Sequence, residues 1–356
     1  MSENSAGERN LFQKTLARSN QGRPPVWFMR QAGRYHSHYQ KLRARHSFMD
    51  LCKKPELATE VTMGPIEDFD FDAAILFSDL LFPLEALGLG LTYDPSPKLA
   101  WHLEIKEDLR KLRLPSKSQG RPAQFMEFQA QALRQLTQRL PSSKGLIGFV
   151  GGPFTLFCYA VEGSHAGGLE SSRKGLTDGR FQGFLEALVE MLADNMALQA
   201  EAGAQAVAMF DTCGGEVDAQ TYGQWVVPAI EQVLVRFKKR HPSTPVIYYS
   251  KKTDPEHWRK LQGLPIDCLG VDWRHDLASV IREFGGQYAI QGNIDPNWLH
   301  LPTDELERRI RDVFSTLKGL DLSGWICGLG HGVLQHTPEQ NVRRFLAVQK
   351  EVFSSW

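Results

Sequence analysis

Residues 184–213 read FLEALVEMLADNMALQAEAGAQAVAMFDTC. Apolar residues at helical spacing run as far as a glycine stop at Gly203, and a continuous apolar run, AVAMF (206–210), follows directly. That run does not alternate with polar residues, which is the pattern of a parallel strand buried on both faces. Asp211, Thr212 and Cys213 come immediately after it. Helix, glycine stop, strand and then polar side chains form the repeating unit of an α/β fold that carries its chemistry at the strand ends.

The unit recurs along the chain. Further apolar runs are VWFM (26–29), AAILF (73–77), LIGFV (146–150), PVIYY (245–249), CLGVDW (268–273), YAIQGN (288–293) and WICGLG (325–330). The segments between them can supply crossover helices. DPEHWRKLQGLP (254–265) has Pro255 near its helix start, and PEQNVRRFLAVQKEVF (338–353) places Val342, Phe345, Leu346 and Val352 on one helical face. Eight strands alternating with helices predict a single (β/α)8 TIM-type barrel over residues 11–356, with its cleft at the C-terminal face, behind a flexible tail of residues 1–10. No Pro/Ser-rich linker divides the chain. Part of the long connection after the second strand, TYDPSPKLAWHLEI (92–105), is an excursion outside the repeat.

The 356 residues are 42% apolar and 23% charged, which is ordinary for a globular protein. Lysine plus arginine (41) balances aspartate plus glutamate (41), so no global field recruits nucleic acid or an anionic membrane. Five cysteines, at 52, 158, 213, 268 and 327, form no CxxC pair, which points to reduced thiols rather than a zinc ribbon or disulfide framework. No apolar run approaches the roughly 20 residues of a membrane span, and the N-terminal MSENSAGERN has no signal-peptide core. A cytoplasmic protein is expected.

If the barrel is right, side chains just beyond each strand share one mouth. Those are Arg30 and Arg34, Ser78 and Asp79, Tyr159, then Asp211, Thr212 and Cys213, and finally His331. GFVGGPFTL (148–156) and GLGHG (328–332) add glycines where backbone passes close to a ligand. More than one guanidinium at the mouth suits a polyanionic ligand, carboxylate or phosphate. Taken singly, each residue has a plainer reading. The arginines can bridge to neighbouring acids, Asp79 can cap a helix, Tyr159 can be a core residue, and His331 can be a structural donor. Their common position is what raises them. No GxGxxG opens a helix, since Val333 stands where the third glycine would fall, and P-loop, HExxH and GxSxG motifs are absent.

The segments PPVWFMRQAGRY (24–35), PELATEVTMGPI (55–66), DAAILFSDLL (72–81), GFVGGPFTLFCYAVEG (148–163), QGNIDP (291–296) and LGHGVLQHTPEQNV (329–342) resemble the uroporphyrinogen decarboxylases, in the family's order. The resemblance implies one barrel, a homodimer without metal or organic cofactor, and removal of the four acetate carboxyl groups of uroporphyrinogen III to give coproporphyrinogen III. It implies that Arg30, Gln31, Ala32, Gly33 and Arg34, with Arg43 and Thr212, bind the carboxylate-rich tetrapyrrole. Asp79 would accept hydrogen bonds from the pyrrole N–H groups, with Tyr159 and His331 beside the substrate carboxylates. The proton donor stays open among His331, Tyr159 and Arg30.

The chain departs from the family pattern in places. Thr212 stands where serine is common, and Gln40 where an arginine often stands, though Arg43 remains. YYSKKT (248–253) offers Lys251 or Lys252 as a replacement charge. Two other readings stand beside the main one. A zinc- and corrinoid-linked methyltransferase relative would need a metal site, for which Cys213, Cys327 and His331 are the candidates, although no HxC occurs. A non-catalytic tetrapyrrole-binding paralogue is the other. The glycine- and serine-rich stretch SHAGGLESSRKGLTDG (164–179) has the composition of a lid.

Overall fold

The computed structural model describes residues 8–93, 96–114, 120–164 and 168–354. Its strands, in chain order, are β1 (Ala73–Ile75), β2 (Thr92–Tyr93), β3 (Pro97–Lys98), β4 (Gly145–Gly151), β5 (Ala206–Phe210), β6 (Val246–Tyr249), β7 (Cys268–Gly270), β8 (Ala289–Ile294) and β9 (Trp325–Leu329). β1 and β4 to β9 pair in chain order, every pair parallel. β2 and β3 make a separate antiparallel hairpin within the excursion.

Every residue of the seven parallel strands is buried, as their unbroken apolar runs require. The period of two then sorts the side chains. Ile147, Phe149, Ala206, Ala208, Phe210, Ile247 and Tyr249 fill the barrel interior with Trp27 and Met29. Leu146, Val150, Val207, Met209, Val246 and Tyr248 face the surrounding helices. Phe12, on helix Leu11–Leu16, plugs the N-terminal end; a Cβ on Gly145 would come within 2.5 Å of its ring.

The eighth run, VWFM, occupies the gap between β9 and β1 but forms a bridge rather than a strand. Val26 pairs parallel with Cys327, and Cys327 N–H donates to Pro25 O at 2.9 Å. On the other side Asp72 N–H donates to Val26 O at 2.9 Å. The reason is where the donors go. Pro25 has none, Val26 N–H donates to the Asp72 carboxylate (2.7 Å), and Phe28 N–H donates to Gln31 Oε1 (3.2 Å). Side chains take the hydrogen bonds a ladder would have used. Arg23 forks onto the same Asp72 carboxylate at 2.6 and 2.7 Å, fixing the seam.

The helices follow their sequence signals. Arg180–Glu201 ends just before Gly203, whose φ of 105° only glycine adopts freely. Asp254 caps Pro255–Lys260 through the N–H groups of Glu256 and His257. Glu339–Phe353 buries Val342, Phe345 and Leu346, with Val352 partly buried against the same core. Of the expected tail, residues 1–7 lie outside the described residues. Asn10 does not behave as tail: it is buried, caps the first helix, and its side chain reaches Lys144 O and Gln205 at 3.0 Å each. The lid stretch is described except for residues 165–167, and it forms a short helix, Glu170–Gly175, with Ser172 buried. No helix among the described residues is long and apolar enough to cross a membrane.

Candidate active site

The segment after Met29 turns sharply because Gln31 holds it. Buried Gln31 donates from Nε2 to Ala73 O (3.0 Å), accepts from Phe28 N–H, and takes the Tyr35 hydroxyl on its carbonyl (2.7 Å). Gln31 is therefore spent on the turn itself. Ala32 packs against the Tyr39–Leu51–Val61 cluster. Arg30 sits in the left-handed region at φ 61°, a conformation that costs a branched-chain-free but bulky residue about 1–2 kcal/mol. Arg18, Asp70 and Lys252 share that conformation, so it is the setting of Arg30 at the mouth that distinguishes it.

Arg30 lies across the glycine-rich loop after β9. A Cβ on Gly332 would approach Arg30 Cδ to 2.5 Å, so the glycine leaves the space the arginine occupies. Burial raises the pKa of Asp79, Tyr159 and Tyr249, and from there the positive charge of Arg30 opposes that rise in each. Three groups expected from different segments, Arg30, Asp79 and Tyr159, thus share one field at the mouth, joined by Tyr249.

Asp79 follows β1. As a residue it is partly open, but its carboxyl group is enclosed, and burial raises its pKa. The Tyr93 hydroxyl, the Leu81 N–H (2.8 Å to Oδ1) and Arg30 act in the opposite direction. The helix-cap reading of Asp79 is partly right: it does satisfy one N–H at the start of the following turn. Tyr159, on helix Pro153–Glu162, has its hydroxyl pKa pushed up by burial, then by Cys213 and Asp79. Thr212 is half-buried just beyond β5. Its neighbour Asp211 is fully buried and accepts from both the N–H and hydroxyl of Thr155 at 2.8 and 2.7 Å. Burial still pushes Asp211 up to about 6.

His331 is positioned by Tyr249, the last residue of β6. The Tyr249 hydroxyl donates to Gly330 O (2.8 Å) and lies 3.1 Å from His331 Nδ1, with the rings stacked at 5.9 Å. Trp273 approaches His331 from the next strand end at 6.3 Å, and Lys251 Nζ sits 5.7 Å over that indole. Lys252 is engaged elsewhere, donating to Glu216 Oε1 at 2.7 Å, so Lys251 is the extra charge nearest His331.

The remaining candidates stand further out. Arg34 is exposed and its carbonyl accepts from Gln40 Nε2 at 2.7 Å, so the residue in place of the missing arginine supports the loop backbone. Gly33 lies between the two arginines, where a Cβ would meet Arg30 O at 3.1 Å. Arg43 donates to His46 O at 3.0 Å and lies beside the Tyr39 hydroxyl. Ser78 is held by Gln129 at 2.8 Å. Cys327 is buried in β9 and Cys213 beside Cys158, and no group of three or more metal-binding side chains is gathered among the described residues.

A (β/α)8 barrel with arginine, carboxylate, phenol and imidazole side chains at the strand ends defines the enzyme class in which several loops build one site. The comparisons with known proteins narrow it. The uroporphyrinogen decarboxylase (URO-D) family model matches residues 8–352, and the chain belongs to that family. A uroporphyrinogen decarboxylase of Trichlorobacter lovleyi is 36% identical over 329 residues, covering 90% of this chain and 92% of the relative. One of Chloroflexus aurantiacus is 35% identical over 342 residues, covering 94% of each. Among solved structures, a methyltransferase from Methanosarcina mazei superposes with a TM-score of 0.74 over 97% of this chain and 100% of its own, at 17% identity, a likeness of fold alone.

Proposed function

We propose that this chain is a carboxy-lyase, a uroporphyrinogen decarboxylase that converts uroporphyrinogen III to coproporphyrinogen III and CO2. The observation that carries the reading is Asp79, a carboxylate enclosed at the mouth beside Arg30 and Tyr159 in a chain of this family.

The chemistry asks for such a carboxylate. A pyrrole acetate cannot lose CO2 until its electrons have somewhere to go. Protonation of a pyrrole α-carbon makes the ring cationic. The C–C bond to the carboxylate then breaks, CO2 leaves, and its electron pair forms an exocyclic methylene. That methylene takes a proton to become methyl, and the α-carbon returns its own. Each turn consumes one proton, and four turns give four methyl groups. The ring is its own electron sink, so the step asks for no metal or organic cofactor.

In this reading Asp79 accepts hydrogen bonds from the pyrrole N–H groups and stabilises the cation as it forms, the electrostatic contribution that is commonly the largest in catalysis. Arg30 and Arg34 hold peripheral carboxylates, with the Gln31–Ala32–Gly33 turn setting their separation and Arg43 and Thr212 completing the binding surface. Tyr159 orients the reacting acetate. His331 delivers the proton, because an imidazole changes charge near neutral pH whereas a guanidinium does not. We read residues 11–356 as one catalytic domain, active as a cytoplasmic homodimer, with a tetrapyrrole as ligand and neither nucleic acid nor membrane as partner.

The test is anaerobic incubation of the purified protein with uroporphyrinogen, followed by oxidation and separation of products by carboxyl number. Stepwise products down to coproporphyrin support the reading; unchanged substrate beside an active control enzyme overturns it. Sedimentation at several concentrations tests the dimer.

A further inference from the structure

The excursion between β1 and β4 reaches back into the mouth. Its hairpin pairs Tyr93 with Pro97, and the Tyr93 ring packs on Phe48 with centroids 4.6 Å apart. Phe48 in turn meets Phe77, two residues before Asp79, at 6.0 Å. The ring is thus seated in an aromatic wall, and the hydroxyl points past it. That hydroxyl oxygen is buried and makes no formed hydrogen bond among the described residues. A buried hydroxyl is seldom left so, and an exception asks for a reason.

Its neighbour supplies one. The hydroxyl lies close enough to Asp79 to lower the carboxyl pKa, while Asp79 and burial together push the phenol pKa far up. The phenol therefore keeps its proton and can only donate toward the carboxylate. Asp79 already accepts the Leu81 N–H on Oδ1. A second donor, from the hairpin, restrains the carboxylate further and favours its ionised form.

We propose that Tyr93 is a positioning residue for the decarboxylation: its hydroxyl closes onto the Asp79 carboxylate and holds it ionised and aligned for the pyrrole N–H groups. The proposal rests on the reading of Asp79 given above. It makes the hairpin part of the catalytic apparatus rather than a decoration of the barrel.

The test is Tyr93→Phe, which deletes one oxygen and leaves the packing on Phe48. Turnover of uroporphyrinogen is measured across the acid limb of the pH–rate profile, alongside KM and thermal stability. The expected result is a fall in kcat of about tenfold, a fold-change typical of losing one aligned donor to a charged group. The acid limb moves to higher pH, because Asp79 has lost a partner that favoured its anion. KM stays within about twofold, and Tm changes little, since the ring of the variant keeps its packing on Phe48. An unmoved acid limb with wild-type kcat overturns the proposal while leaving the role of Asp79 intact. A wild-type protein that does not decarboxylate uroporphyrinogen overturns both.

Discussion

The Tyr249 hydroxyl spends its single proton on Gly330 O at 2.8 Å, so His331 Nδ1, 3.1 Å away, must be the donor between them. This sets the tautomer of the neutral ring: Nδ1 keeps its hydrogen, and Nε2 carries the lone pair. Tyr249→Phe frees the imidazole to rotate or change tautomer. We expect kcat to fall about fivefold, the equivalent of about 1 kcal/mol, with KM little changed. Steady-state kinetics showing KM rising at constant kcat would assign His331 to binding instead.

Asp79→Asn keeps the shape of the side chain and removes its charge. Turnover is expected to fall by about 10²–10³, as for loss of a preorganised electrostatic group, with a much smaller change in substrate affinity. Burial raises the Asp79 pKa, so in the wild type the active anion is lost, as pH falls, before an ordinary carboxylate of pKa about 3.9 would be. The acid limb of kcat/KM should therefore lie above that value and disappear in the variant.

Arg30→Lys preserves charge but replaces a planar fork with a point donor. Loss of a bidentate carboxylate contact should raise KM about tenfold, with activity more easily suppressed by salt. Equal kinetics for the two cations would mean that Arg30 acts by field alone.

Asp211 gives a stability test away from turnover. Its folded pKa is pushed up to about 6, against an unfolded value near 3.9. The buried anion therefore costs stability above pH 6, on the order of 3 kcal/mol, and the cost fades as pH falls toward the unfolded value. Asp211→Asn has no such dependence. Its Tm relative to wild type should be more favourable at about pH 7.5 than at about pH 5. A pH-independent difference would place the raised pKa in doubt.

Asp72 accepts from Arg23 and from Val26 N–H, at the seam where the first barrel segment meets β1. Asp72→Ala leaves that half-buried guanidinium and the buried Val26 N–H without their acceptor. Chemical denaturation should show a loss of about 2–3 kcal/mol, mostly from the buried N–H left without a partner.

How far the sequence foretold all this depended on the kind of signal. AVAMF (206–210) became β5 residue for residue, because a strand buried on both faces leaves an unbroken apolar run. VWFM carries the same signal and fails as a strand, because Asp72 and Gln31 claim its N–H groups and neither is adjacent to the run. Arg30, Asp79, Tyr159 and His331 were found by their places after strands, and the field of Arg30 does join the first three. The resemblance places Gln31 among the substrate-binding residues; in the structure its side-chain amide holds the turn that carries Arg30 and Arg34, a role that only hydrogen-bond partners reveal. Tyr249 was hidden as the last apolar letter of its strand. Tyr93 was hidden in a segment with no periodicity, where nothing local hints that a hairpin folds back onto Asp79.

The glycine at 332 is, in shape, the mould of the arginine at 30. Because Arg30 Cδ fills the volume a Cβ on Gly332 would need, the two positions cannot vary independently. An alanine at 332, though chemically inert and remote in the chain, would evict the guanidinium and produce the phenotype of an arginine variant. In a natural or inherited sequence it would be scored as a harmless small-for-small exchange, when what it displaces is the Arg30 side chain.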